Sequence, residues 1–300
     1  MTDSASQRGI RSAQLGILVN TGLAIVKFIA GLVGNAYALV ADAVESTADV
    51  LSSTVVWGGL RVAARNPDAS YPFGYGKAEP LAAAVVSLML LGAAVGIAIE
   101  AAGEMRTPHH TPAPWTLAVL VAVVAVKWVL SRRVRAVGSA IGSTAVRADA
   151  WHHLSDAVTS TAAFIGISIA LVGGPGWESA DDWAALLAAG VIFFNGVNML
   201  RPALWEIMDR TPGADVIEPV RRAAEGVPGV LATEKLAVRK TGMSYRVTIH
   251  VQADGGMSLD DAHVLSGRVK GAIRAANPKV QSVLVHMEPF ERGGTGRNAP

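Results

Sequence analysis

Ala41-Asp42-Ala43-Val44-Glu45-Ser46-Thr47-Ala48-Asp49 and Ala148-Asp149-Ala150-Trp151-His152-His153-Leu154-Ser155-Asp156 are two copies of one pattern. Each runs Asp, a metal-ligand type of side chain three residues on, and Asp four further. Ser53-Thr54 and Ser160-Thr161 follow at matching distances. On a helix, positions i, i+3 and i+7 share a face. Each copy therefore predicts a helix with a stripe of three ionisable groups. Both stripes interrupt long apolar stretches, and that placement decides the fold. A carboxylate in hydrocarbon costs on the order of 2.5–3.5 kcal/mol on insertion scales unless it faces water, protein or a counter-charge.

The composition surrounding these copies is that of a membrane protein. The chain has 300 residues, 51% hydrophobic and only 17% charged, where soluble domains run near ~25% charged. The mean hydropathy of +0.37 agrees. These values exclude a disordered chain and a nucleic-acid-binding arm, and they fit an ordinary soluble enzyme poorly. With no cysteine, disulfides, thiolate zinc sites and cysteine nucleophiles are all excluded. The net charge of +2 is too small to imply an anionic partner, and no nucleic acid is expected.

Six segments can span a bilayer as helices, near 13–33, 37–60, 81–101, 115–131, 150–172 and 183–203. The first is not expected to be a signal peptide, because Lys27 interrupts it and no small-x-small cleavage site follows. Arg8, Arg11, Arg61, Arg65, Lys77, Arg132, Arg133, Arg135 and Arg147 fall on one side, and the opposite loops hold only Arg106. The positive-inside rule then places both termini in the cytoplasm. Lys27 and Lys127 lie within spans, where snorkelling or an intraprotein partner is expected. After the Arg210-Thr-Pro-Gly213 breaker the composition shifts. The last 90 residues carry 12 Lys/Arg and 9 Asp/Glu, against 14 and 15 in the preceding 210. We expect a six-helix membrane domain over 1–210, a small soluble domain over 211–290 and a flexible tail over 291–300.

Five carboxylates and a histidine on two spans exceed what Lys27 and Lys127 can neutralise. A bound divalent cation supplies the missing positive charge. Glu45, Asp49, His152 and Asp156, at i and i+4 on two facing helices, form a tetrahedral set. One imidazole with three carboxylates suits zinc, and also manganese, iron(II), cobalt or cadmium. Asp42 and Asp149 are read as supporting or water-facing groups. His153, about 100° off the stripe, is expected to pack elsewhere. Asn20 either lines a metal path or forms an interhelical hydrogen bond.

With these motifs in place the chain resembles the cation diffusion facilitators, dimeric proton-coupled exporters of divalent metals, from about Arg11 to Pro289. Glu45-x-x-x-Asp49 stands where that family has His or Asp followed by Asp, and His152-x-x-x-Asp156 matches its second pair. Tyr71-Pro-Phe-Gly-Tyr-Gly-Lys77-Ala-Glu79 resembles the family's loop after the second span. The family's histidines in that loop are here Tyr71 and Tyr75, so a second metal site around Asp68 is not expected. The resemblance implies a homodimer in a bacterial-type inner membrane, with metal as substrate, protons as counter-ions and no resident cofactor.

Beyond residue 211 the pattern reads helix (217–226), strand (230–239), strand (245–251), helix (258–275), strand (280–287), with Thr241-Gly242 as a turn and Ser258 as an N-cap. This resembles the family's ferredoxin-like, metallochaperone-like α+β domain. His286 and Glu288, two apart on a strand, point the same way. By family position His263, His286 and Glu288 match ligands of a regulatory metal site shared between protomers, Glu234 stands where a His is often found, and His250 is a weaker candidate. Two other functions fit the same membrane site: an intramembrane metalloenzyme, and a passive divalent-metal channel or importer. No His-Glu-x-x-His occurs, which counts against the enzyme. The duplicated motif suits alternating access.

Overall fold

The computed structural model describes residues 2–33, 37–104, 116–173 and 180–290. The expected tail at 291–300 lies outside them. The chain divides between Ile207 and Met208 into two compact units.

The first unit consists of six helices: α1 (Thr2–Val33), α2 (Tyr37–Ala63), α3 (Ala78–Glu104), α4 (Thr116–Ile141), α5 (Thr144–Gly173) and α6 (Ala180–Ile207). A rise of 1.5 Å per residue makes each roughly 39–48 Å long, more than a ~30 Å hydrocarbon core requires. Ala5–Val26, Ala78–Gly103 and Leu186–Ile207 are apolar enough throughout to cross a membrane by composition. The other three helices hold the acidic stripes and Lys127. α5 packs on α4 and α6, α3 packs on α6 and α5, and α2 packs on α3 and α5.

Large apolar side chains in this unit face outward as well as inward. Leu18, Ile25, Leu88, Ile99, Leu187 and Phe194 face outward, whereas Ala83, Ala94, Ala148, Ala189, Ser52 and Ser53 are buried. Lipid tails are as apolar as leucine, so helices associate through close backbone approach and polar contacts, which small residues permit. Gly59 of α2 marks a close approach. A Cβ there would stand 2.4 Å from the Cβ of Ala82 and 3.2 Å from the carbonyl of Ala78 on α3.

The bundle is tied at the end where α5 begins. Gly142, at φ +75°, turns the chain between α4 and α5. The N-terminal amides of α5 need acceptors. Ser143 Oγ accepts from Val146 N (3.1 Å), and Glu79 Oε1 of α3 accepts from Thr144 N (2.7 Å). The Thr144 hydroxyl donates to Glu206 Oε2 of α6 (3.0 Å). The Gly-Lys-Ala-Glu stretch thus contributes a buried carboxylate that caps a neighbouring helix. At the same end Arg61, Arg132 and Arg135 lie over Trp57, Trp128 and Trp151, at 4.9, 4.2 and 5.1 Å. Tryptophan with arginine suits a membrane–water boundary.

The second unit comprises α7 (Ala214–Glu225), β1 (Ala232–Thr241), β2 (Ser244–Ala253), α8 (Leu259–Ala276) and β3 (Val280–Pro289). The order is the expected one. β1 and β2 form an antiparallel hairpin whose turn holds Gly242 at φ +63°. α8 then crosses over to place β3 parallel to β2. Ser258 caps α8, accepting from Asp261 N (3.1 Å). Val220 and Ala224 of α7, Val269 and Ile273 of α8, and Ile249 and Val251 of β2 close one core. β1 departs from simple alternation. Its register shifts between Glu234 and Ala237, and Lys235 has φ +48°. This irregularity lets Glu234 pair with His250, which in turn pairs with His286.

Gly59→Ala should lower the thermal stability of the detergent-solubilised protein, by about 1–3 kcal/mol for an overpacked contact. Gly59→Ala with Ala82→Gly should recover most of the loss. Equal melting of wild type and the single variant would show that α2 and α3 do not approach this closely.

Candidate metal centre

Four helices bring one charge cluster together. Asp49 of α2 and His152 and Asp156 of α5 offer ligand atoms that all lie within 4.8 Å of one another. His152 Nε2 and Asp49 Oδ1 are 3.0 Å apart. A neutral imidazole protonated on Nε2 can donate to the Asp49 carboxylate across this contact. His152 Nδ1 has no hydrogen-bond partner among the described residues. Lys127 of α4 enters the same cluster. Its Nζ donates to Asp49 Oδ2 through a very short contact, to Asp156 Oδ2 at 2.9 Å and to Asn20 Oδ1 of α1 at 3.0 Å.

Burial makes these contacts consequential. Lys127 is 1% exposed and Asp49 4%, while Asp156 is partly accessible. In such surroundings a charge must be paired or ligated. Glu45 lies on α2 one turn before Asp49, but its side chain is outside the described residues, as is that of Asp42. Of the four expected ligands, the structure therefore gathers three. It adds Lys127, for which snorkelling or an intraprotein partner is expected, and Asn20, expected to line a metal path or to bond between helices.

A second polar layer is built from the same two repeats. Ser53 of the first copy donates to Asp149 Oδ1 of the second at 3.0 Å. His153 Nε2 lies 3.6 Å from Asp149 Oδ2. Asp149 and His153 are fully buried, so of the two expectations for Asp149, supporting or water-facing, burial excludes the second. Gly16 of α1 makes room for them. A Cβ there would come within 3.0 Å of Ser53 Oγ and 3.3 Å of His153 Nε2.

The loop between α2 and α3 holds Asp68 differently. Tyr75 Oη donates to Asp68 Oδ2 at 2.6 Å, and the amides of Ser70 and Tyr71 donate to Oδ1 at 2.9 and 2.8 Å. The Tyr75 hydrogen bond and these amides hold the Asp68 carboxyl below its usual range, and the same bond raises the Tyr75 phenol. Protein donors thus already engage both oxygens of Asp68.

In the second unit the ligand atoms of His250, His286 and Glu288 lie within 4.8 Å of one another. His250 Nδ1 is 2.7 Å and His286 Nε2 3.6 Å from Glu288 Oε1. Burial alone would raise Glu288, but the hydrogen bond and charge of His250 outweigh it and keep its carboxyl below the usual range. Glu234 also accepts from Gln252 Nε2 at 3.0 Å. His250, the weakest candidate by position, is thus central. β2 is the middle strand, and its side chain lies between those of its neighbours. His263 is exposed on α8 and is not one of this trio within a single chain.

Comparisons with known proteins cover both units. The family model for the cation efflux transmembrane domain matches residues 13–208, and that for the cytoplasmic domain of cation efflux proteins matches residues 212–290. Metal tolerance protein C1 of Arabidopsis thaliana is 29% identical over 299 residues, which cover 94% of this chain and 63% of the plant protein. The chain therefore spans less than two thirds of that relative. Manganese efflux system protein MneP of Bacillus subtilis (strain 168) is 28% identical over 295 residues, covering 97% of this chain and 99% of the relative. A solved MamM-CTD structure matches 26% of this chain and 96% of its own, at 26% identity and a TM-score of 0.25.

Proposed function

We propose that this chain, which belongs to the cation diffusion facilitator family of cation efflux proteins, exports a divalent transition metal in exchange for protons through Glu45, Asp49, His152 and Asp156. The family consists of integral membrane transporters of metal cations and not of enzymes. The observation that carries the site assignment is the convergence of Asp49, His152 and Asp156 from two copies of one motif on two buried helix faces. Glu45, one turn from Asp49 on the same stripe, completes a set of one nitrogen and three carboxylates.

Proton exchange follows from the chemistry of these ligands. A metal needs a bare imidazole nitrogen, and His152 Nε2 lies 3.0 Å from Asp49 Oδ1, where a proton on the ring would be shared with the carboxylate. Metal entry at that nitrogen must move or release the proton. Protons also compete for the carboxylate oxygens, so acid on the receiving side unloads the site. The arginine excess on one side of the helices supports an orientation with both termini cytoplasmic. Residues 1–210 then carry translocation within the lipid of a bacterial-type inner membrane, and residues 211–290 sit at the cytoplasmic face.

Zinc suits the tetrahedral mix of imidazole and carboxylate. Manganese is the second cargo to weigh, because three hard oxygen donors suit it and the Bacillus relative is named for manganese efflux. In the second unit we assign His250, His286 and Glu288, with Glu234 and with His263 from the partner protomer, to a regulatory metal site of the homodimer. The trio's geometry and its partly accessible position support this reading.

In proteoliposomes with a pH gradient, Asp49→Ala and Asp156→Ala should abolish metal flux while the protein stays inserted and folded, and His152→Asp should shift preference towards manganese. Flux at the wild-type rate in Asp49→Ala would refute the site. Metal should also tighten the full-length dimer by mass action, since only the assembled form offers every ligand. His286→Ala with Glu288→Ala should remove that tightening and leave flux in place. Dimer affinity independent of zinc and manganese would remove the regulatory site.

A further inference from the structure

The lysine at the centre of the membrane cluster has no part in a scheme of metal and protons alone. Lys127 lies mid-helix in α4, its ammonium does not reach water, and its three protons meet three acceptors: Asn20 Oδ1, Asp49 Oδ2 and Asp156 Oδ2. Two of those acceptors belong to the carboxylates assigned to the metal. Asp49 has its other oxygen on His152. A divalent ion that takes His152 and both aspartates must therefore compete with an ammonium for the same oxygens. A divalent charge and an ammonium cannot share one carboxylate pair in a poorly solvated site without strong repulsion.

We propose that Lys127 is a tethered competing cation, displaced from Asp49 and Asp156 when metal loads and returning when it leaves. This rests on the reading that Asp49 and Asp156 hold the transported metal. The exchange is a movement of the charged ammonium and involves no loss of its proton. Asn20 makes the movement feasible. Its amide oxygen is the one acceptor of the three that the metal does not need, so it can keep Nζ paired while the aspartates turn to the ion. The lysine weakens metal binding, and its return to the carboxylates speeds metal release. A lysine that merely joined helices would do neither.

Metal-concentration dependence of flux in proteoliposomes, for zinc and for manganese, tests this. Lys127→Met and Lys127→Gln should lower KM at least tenfold and also lower kcat, because metal binds without a competitor and leaves without one. Asn20→Ala, which keeps the ammonium but removes its parking acceptor, should raise KM. Asp156→Ala serves as the control for the underlying assignment. If Asp156→Ala transports normally, the site itself is misassigned. If Asp156→Ala is inactive yet both lysine variants have an unchanged or raised KM, the tethered-cation role alone is overturned. Should the lysine variants fail to fold, an unchanged KM in Asn20→Ala overturns it as well.

Discussion

Two buried carboxylates that face one another need a positive charge between them, and the arrangement of the helical unit follows from that need. Asp49 and Asp156 sit on different helices and meet one ammonium, that of Lys127, on a third. Asn20 brings in a fourth. Without a positive charge at that point, two carboxylates would face each other across poorly solvated space, and the helices bearing them would separate or take up protons. A bundle held by such a contact is sensitive to any other cation that can take its place. That sensitivity is what a metal carrier requires.

The remaining packing keeps the cluster compact. Small side chains let the helices approach, as where Gly59 meets Ala82. Glu79 and Glu206 fix the start of α5 from two other helices, and so set the depth at which His152 and Asp156 project. Asp149, Ser53 and His153 form a second polar layer, kept accessible to α1 only by the missing side chain of Gly16. Among the described residues, the two sequence repeats meet in shared polar contacts and not in separate ones. They contribute alternately to one stack of polar contacts between α2 and α5.

Much of this was legible from spacing alone. Asp49, His152 and Asp156 were identifiable because a helical period carries them to one face and hydrocarbon makes that face costly without a ligand. Lys127 was visible as a misplaced charge, but its partners were not. Periodicity within one helix says which residues share a face, and says nothing of which neighbour that face meets. The same limit explains His250. Alternation placed His286 and Glu288 together on β3. That His250 stands beside them depends on strand order and on the parallel register of β2 with β3, neither of which has a period. Spacing leaves Asp149 as either a supporting or a water-facing group for a related reason. Its partner Ser53 comes from the other repeat, and its cover, Gly16, is conspicuous only by what it lacks.

The most direct test of the account is the position of the metal itself. Anomalous diffraction, or cryo-electron microscopy of the full-length protein with zinc or manganese, would locate it. The expected result is an ion in the membrane unit within bonding distance of His152, Asp49 and Asp156, with the Lys127 ammonium withdrawn from both aspartates towards Asn20. A membrane unit in which Lys127 still bridges Asp49 and Asp156, with the transported ion bound to other side chains, would contradict it.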